Sequence, residues 1–150
     1  MRSTVIISCG FLTLFFFFAS CSNAQSKGSD VVAGLPGDWS GESTCADKQR
    51  FPGCKDEVVV YHVTPKEGKS DTVHISMDKI VNGETLFMAE DDFVYNAKKK
   101  VLTSEYKNDR VHLVIELALK DDVLEGTVIS LPDKSTVRHI KIKKDQKKSQ

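Results

Sequence analysis

The chain has 150 residues, which is room for one domain, and its 40% hydrophobic and 28% charged residues are ordinary for a globular protein. Lysine and arginine together number 21, as do aspartate and glutamate, so the formal net charge is zero. Because neutralisation of phosphates supplies most of the affinity of nucleic-acid-binding proteins, this balance argues against that class. We expect no nucleic-acid partner.

The first 20 residues have the pattern of an export signal. Arg2 precedes an uncharged and almost wholly apolar run from Thr4 to Ala19, which is the arrangement of a signal peptide. The run is shorter than the roughly 20 apolar residues that a membrane-spanning helix needs, so a cleaved signal fits better than a retained anchor. Removal of residues 1–20 takes away Arg2 alone, which leaves 20 basic against 21 acidic residues and a net charge of −1.

Two cleavage sites are compatible with the residues that follow this run. Phe18-Ala19-Ser20-Cys21 resembles the lipobox of bacterial lipoproteins, and that resemblance implies a lipid on Cys21 that attaches the protein to a membrane of the cell envelope. Ser22-Asn23-Ala24 is the alternative, a small-x-small site that would release a soluble protein beginning at Gln25. We favour lipidation at Cys21, with the protein in the periplasm or at the outer membrane, and otherwise expect a secreted protein.

The remaining cysteines predict a disulfide bond. Cys9 leaves with the signal and Cys21 is either lipidated or free, so Cys45 and Cys54 remain as the pair. In an oxidising compartment two such cysteines form a disulfide, and closing a loop of this size stabilises the fold by about 2.5 kcal/mol in the chain-entropy model.

Composition divides the exported part into three segments. Residues 21–36 are small and polar and are predicted to form a flexible tether, residues 37–145 a β domain, and residues 146–150 a basic tail. Within the domain, runs rich in Val, Ile, Tyr, Phe and Thr alternate with turn residues, which is the pattern of an all-β fold. The predicted strands span residues 38–45, 57–64, 72–81, 84–95, 101–107, 111–119, 123–131 and 136–143.

Every connection between these strands is short, so the pattern predicts an antiparallel, eight-stranded, up-and-down meander. Asn82-Gly83 supplies the two residues that a type I′ hairpin turn prefers. We expect a bulge or break near Glu90-Asp91-Asp92. Alternating strands such as 72–81 and 111–119 have one apolar face, and eight of them form either a closed barrel around a side-chain core or a small ligand, or a β-sandwich. We favour the barrel.

Gly37-Asp38-Trp39, at the start of the first strand, resembles the G-x-W motif that opens lipocalins and related calycin barrels. In that family a basic residue of the last strand packs over the tryptophan ring. The resemblance implies a lipocalin-like barrel with Gly37 and Trp39 at its base and Arg138 stacked on Trp39 as a cation–π pair.

No residue pattern points to catalysis or to a metal. His62, His74, His112 and His139 lie in predicted strands without the spacing of zinc ligands, so we expect isolated, solvated histidines. Glu90-Asp91-Asp92 lacks the glycine turn of a calcium loop and is predicted to be a solvated bend.

Trp39-x-Gly41 followed by Cys45 also resembles the N-terminal barrel of a copper-resistance lipoprotein family. That family has its second cysteine where Lys48 stands here, so the resemblance implies no metal site.

These observations predict a non-enzymatic, exported lipoprotein without a cofactor. A lipocalin-like barrel would bind a small apolar ligand, whose contact residues the sequence does not identify. The alternative is a structural or protein-interaction module with a filled core, such as an inhibitor or an envelope-stress component. The basic residues at the C-terminal end are expected to solubilise it and to protect the edge of the last strand; they are Lys141, Lys143, Lys144, Lys147 and Lys148.

Overall fold

The computed structural model describes residues 26–131 and 133–146, which form a closed antiparallel β-barrel of eight strands. Each strand pairs with the next along the chain, and the first strand also pairs with the last, which closes the ring. The predicted all-β, up-and-down barrel is therefore confirmed, and the β-sandwich alternative is wrong. One short helix, α1, precedes the barrel, over Ser26–Ala33.

The strands begin and end within one or two residues of their predicted positions. They are β1 Gly37–Cys45, β2 Glu57–Pro65, β3 Thr72–Val81, β4 Glu84–Asn96, β5 Val101–Lys107, β6 His112–Lys120, β7 Val123–Ser130 and β8 Ser135–Lys144. Asn82 and Gly83 both have positive φ, 54° and 85°, as the predicted type I′ hairpin requires.

Alternate residues of each strand face the interior, and the apolar ones form a single core. Val73, Ile75 and Met77, on the apolar face predicted for β3, are buried, and Leu117 of β6 is fully buried. The largest wholly buried side chains are Trp39 and Phe93. These residues fill the half of the barrel that lies near α1, which we call the helix end. The opposite end, with the loop between β1 and β2, is called the disulfide end.

The described part of the predicted tether is a short helix packed against the barrel, so the prediction of a tether is wrong for residues 26–36. Val32 of α1 and Leu35 after it are buried against the barrel, and the Trp39 indole Nε1 donates to the Leu35 carbonyl at 2.9 Å. The segment is too short to form a helix alone. It folds because its few apolar side chains cover the apolar opening at the helix end, a tertiary effect that local composition does not reveal.

The irregularity in β4 lies at Met88 rather than at the predicted acidic stretch. Ala89 is opposite Met77 and Phe87 is opposite Asp78, so Met88 has no partner on β3 and forms a bulge. Glu90, Asp91 and Asp92 continue in regular register with β3. A solvated bend is therefore wrong for Asp91, which shares its face with the inward residues Ala89 and Phe93.

Several predictions concern residues outside the described ranges: the signal peptide over 1–20, the lipidation site Cys21, and the basic tail beyond residue 146. They stay predictions. Among the described residues, no helix combines the length and the apolar character needed to cross a membrane.

Two inward-facing glycines permit close approach of neighbouring strands. A Cβ at Gly126 of β7 would overlap the carbonyl oxygen of Glu116 on β6 and lie 2.9 Å from the Leu117 Cα. A Cβ at Gly41 of β1 would likewise overlap the backbone of Lys141 on β8. Glycine at these positions allows the strong coiling that a small barrel needs.

We predict that Gly126→Ala destabilises the protein by more than about 2 kcal/mol, because backbone atoms on the adjoining strand must move to admit one methyl group. Equilibrium urea unfolding measures this change. Gly53→Ala is the matched control, since a Cβ at Gly53 meets nothing within 4 Å. Equal stability of the two variants would contradict the close approach of β6 and β7.

Candidate ligand-binding site

A polar network of partly buried side chains occupies one side of the disulfide end of the barrel. A disulfide joins Cys45 to Cys54, as predicted. Arg138 of β8 points inward there, and its guanidinium contacts the Glu57 carboxylate at 2.9 Å and donates to the Ser43 hydroxyl at 2.7 Å and to the Lys55 carbonyl at 2.9 Å. The Arg138 guanidinium and the Glu57 carboxylate therefore pair with each other, which offsets the cost of removing both charges from water.

Further inward side chains extend this network across the end of the barrel. Lys79 of β3 contacts the second oxygen of Glu57 at 3.0 Å. Tyr61 of β2 is buried beneath them, and this burial raises the pKa of its phenol to about 12. The phenol is thus neutral at physiological pH. The β1, β2, β3 and β8 side of the disulfide end is filled by these contacts.

The predicted stacking of Arg138 on Trp39 is wrong. In the β1–β8 register, Arg138 is opposite Cys45, whereas Lys144 is opposite Trp39. These positions are six residues apart, or about 20 Å along a strand. The Lys144 ammonium lies 5.6 Å from the centre of the Trp39 ring and donates to the Gly34 carbonyl at 2.5 Å. A basic residue of the last strand does cover the tryptophan, but it is Lys144.

The barrel wall has one opening, among the described residues, where β4 and β5 separate. β4 pairs with β3 from Glu84 to Val94, apart from the bulged Met88. With β5 it pairs only through Val94–Thr103, Tyr95–Leu102 and Asn96–Val101. β4 has 13 residues and β5 has seven, and the bulge at Met88 bends the longer strand. The segment 84–93 of β4 therefore has a free edge beside the end of β5.

A cavity of about 560 Å³ lies behind this opening, within the size range of small-molecule sites. Its lining is apolar and aromatic apart from two carboxylates. The lining residues are Met77, Phe87, Met88, Ala89, Glu90, Asp91, Tyr106, Leu113 and Ile115. Phe87 and Tyr106 are 64% and 48% exposed and stand at the mouth. We call this space the side cavity.

Asp91 places a carboxylate in the side cavity. The Ser104 hydroxyl, which is buried, donates to one of its oxygens, and the backbone N–H of Asp92 donates to the other at 2.8 Å. These donors are neutral, and no lysine, arginine or histidine of the described chain lies within ion-pair distance of Asp91. Glu90 stands at the rim, 61% exposed, with its carboxylate 3.7 Å from His74.

Three of the four histidines are not isolated, contrary to expectation. They lie on the outer surface and contact carboxylates of neighbouring strands. His62 Nδ1 is 2.7 Å from Asp38 and its Nε2 is 3.2 Å from Asp78, while His74 contacts Asp92 at 2.9 Å. His112 contacts Glu105 at 2.6 Å. No group of three side chains able to hold a metal ion occurs within the described ranges.

The comparisons with known proteins identify the fold alone. No protein-family model matches the chain, and no curated protein is significantly similar to it in sequence. A solved structure described as a redesigned β-barrel is similar to it, with 12% identity, a TM-score of 0.56, and coverage of 77% of this chain and 95% of that one. The chain is thus an eight-stranded antiparallel β-barrel.

We predict that His62→Gln reduces the pH dependence of stability. The hydrogen bond to Asp38 is the main cause that raises the pKa of His62 above its ordinary value of about 6.5. Its contribution is therefore fully present below about pH 6.5 and is lost as pH rises through the raised value.

Urea midpoints at about pH 5.5 and about pH 8.5 measure this effect. The wild type should lose more stability than His62→Gln between the two pH values. His139→Gln, at an exposed position on β8, is the control and should behave as the wild type. An unchanged pH difference in His62→Gln would show that the contacts with Asp38 and Asp78 contribute nothing in solution.

Proposed function

We propose that this protein is a non-enzymatic, lipid-anchored protein of the cell envelope that binds a small apolar ligand in the side cavity. The observation that carries the proposal is the opening between β4 and β5, with its apolar cavity. The helix end is packed by Trp39, Phe93 and their neighbours, and the Arg138 network fills the β1, β2, β3 and β8 side of the disulfide end. The remaining space is concentrated where a ligand could enter from solvent.

The export and anchoring half of the proposal rests on the N-terminal sequence and on the disulfide. Cys45–Cys54 is compatible with an oxidising compartment. Only residues 22–25 lie between Cys21 and the first residue of α1, a reach of roughly 17 Å when extended. A lipid on Cys21 would therefore hold the helix end beside the membrane and leave the disulfide end directed away from it.

We also propose kinship with the calycin barrels in the wide sense. Gly37 and Trp39 lie at the start of β1, at the helix end. Lys144 of the last strand supplies the cation that covers the tryptophan ring. This arrangement supports the resemblance, with Lys144 in the position that the resemblance predicts for Arg138.

The alternative function is a protein-interaction module. The free edge of β4 and the exposed side chains of Leu86 and Phe87, 43% and 64% exposed, favour it specifically. An extended segment of a partner could pair with such an edge. Under this alternative the protein binds no small apolar molecule. A partner protein crosslinks to the wild-type protein in its native cells, and Phe87→Ser abolishes that crosslink.

We predict saturable binding of adamantylmethanol, a compact and neutral apolar probe, to the mature protein in lipid nanodiscs, with empty nanodiscs as the blank. Calorimetry measures the affinity. Ala89→Trp should abolish binding, because Ala89 faces the side cavity and the indole fills it. Ala118→Trp is the matched control on the outward face of β6. Absence of saturable binding to the wild type would contradict the proposed function.

We predict that the mature protein begins at an acylated Cys21. Mass spectrometry of the N-terminal peptide from its native cells measures this, and Cys21→Ala should abolish the acylation and release the protein from membranes. A wild-type N-terminus at Gln25 would instead make the protein soluble and remove the anchor from the proposal.

A further inference from the structure

We propose that the ligand of the side cavity is a lipophilic amine: one protonated nitrogen on a compact apolar body. This inference rests on the proposed function and names the chemical class that the cavity selects. It follows from the distribution of charge around the cavity, from the partners of Asp91, and from the side chains at the mouth.

The charges that line the side cavity are all negative. Asp91 lies inside and Glu90 at the rim, and no lysine or arginine is among the lining residues. An anionic ligand such as a fatty acid would meet the Asp91 carboxylate, which has no cationic partner among the described residues, and Glu90 at the rim, beside His74, adds a second carboxylate. Since like charges brought together with loss of water repel strongly, this arrangement selects against anions.

Asp91 is prepared to accept a donor from the ligand. A carboxylate has about four acceptor positions, and here the Ser104 hydroxyl and the Asp92 N–H occupy one on each oxygen. Both donors are neutral, so they orient the carboxylate without cancelling its charge. Elsewhere in the interior the described acidic side chain Glu57 contacts Arg138 and Lys79. Asp91 differs because its cationic partner would come from the ligand.

The rest of the lining suits the apolar body and the charge together. Met77, Leu113 and Ile115 form an aliphatic surface behind Asp91, and Met88 adds a flexible side chain at the bulge. Tyr106 and Phe87 place aromatic rings at the mouth, where their faces attract a passing ammonium group. A ligand with its amine on Asp91 and its apolar body against β6 would use every part of this surface.

Three probes with the same apolar cage test the inference: adamantylmethylamine, adamantylmethanol and adamantanecarboxylate. Calorimetry is performed on the mature protein in nanodiscs, with empty nanodiscs as the blank. We expect the amine to bind at least about tenfold more tightly than the alcohol, which corresponds to about 1.4 kcal/mol. The carboxylate should bind more weakly than the alcohol.

Asp91→Asn isolates the charge, since the amide oxygen can still accept from the Asp92 N–H while the amide NH2 donates to the Ser104 hydroxyl oxygen. We expect this variant to bind the amine no more tightly than the alcohol while its affinity for the alcohol stays within about twofold of the wild type. Asp121→Asn is the control. It removes a carboxylate in the β6–β7 turn at the helix end, where the positive φ of 57° suits asparagine.

Two results would overturn the inference alone: equal wild-type affinity for amine and alcohol, or an equal loss of both in Asp91→Asn. In either case saturable binding of the alcohol leaves the proposed function standing. Failure of the alcohol to bind the wild type would contradict the proposed function, and failure of the amine as well would overturn the inference with it.

Discussion

The difference in length between β4 and β5 is the constraint on which the rest of this structure depends. In a closed barrel every strand edge normally pairs with a neighbour, and closure removes the free edges. Here thirteen residues of β4 face seven of β5, and only three residue pairs join them. The free edge of β4 and the side cavity follow from that mismatch, and they place the inward-facing Asp91 beside the opening.

Different side chains occupy the two ends of the barrel, and the space that remains lies on the β4, β5 and β6 side. At the helix end, α1 and Leu35 cover an apolar opening, with Trp39 and Lys144 beneath them. At the disulfide end, Arg138 and Glu57 neutralise each other, and the disulfide holds the loop whose Lys55 carbonyl accepts from Arg138. Hydrophobic burial therefore stabilises one end, and paired polar groups occupy the other.

The strands could be predicted almost completely because their signals are local. Alternation of apolar and polar residues identifies a strand, and turn residues such as Asn82-Gly83 mark where it ends. The disulfide followed from counting cysteines. The contact of Trp39 was assigned to the wrong residue because Arg138 and Lys144 share the inward face of β8. Alternation gives the face of a residue, whereas its height in the barrel depends on the register between β1 and β8.

Other features depend on tertiary contacts that no local pattern contains. α1 forms because Val32 and Leu35 pack over the apolar opening of the barrel. The small and polar composition of that segment predicts a tether instead, because composition contains no information about this contact. The side cavity also was not predicted, although one signal was present: the predicted strands 84–95 and 101–107 already differed in length. The unpaired part of the longer strand lies beside the cavity. The irregularity of β4 was predicted near Glu90-Asp91-Asp92, two residues after the bulge at Met88.

The central claim is that β4 and β5 separate and leave the interior open at the side. Amide hydrogen exchange along β4, followed by NMR, tests it most directly. If the strands separate, residues 94–96 are protected, whereas within 84–91 the amides directed away from β3 exchange quickly and alternate with slow ones. Uniformly slow exchange from Glu84 to Asn96 would contradict the account, because the free edge would then be paired and the side cavity closed.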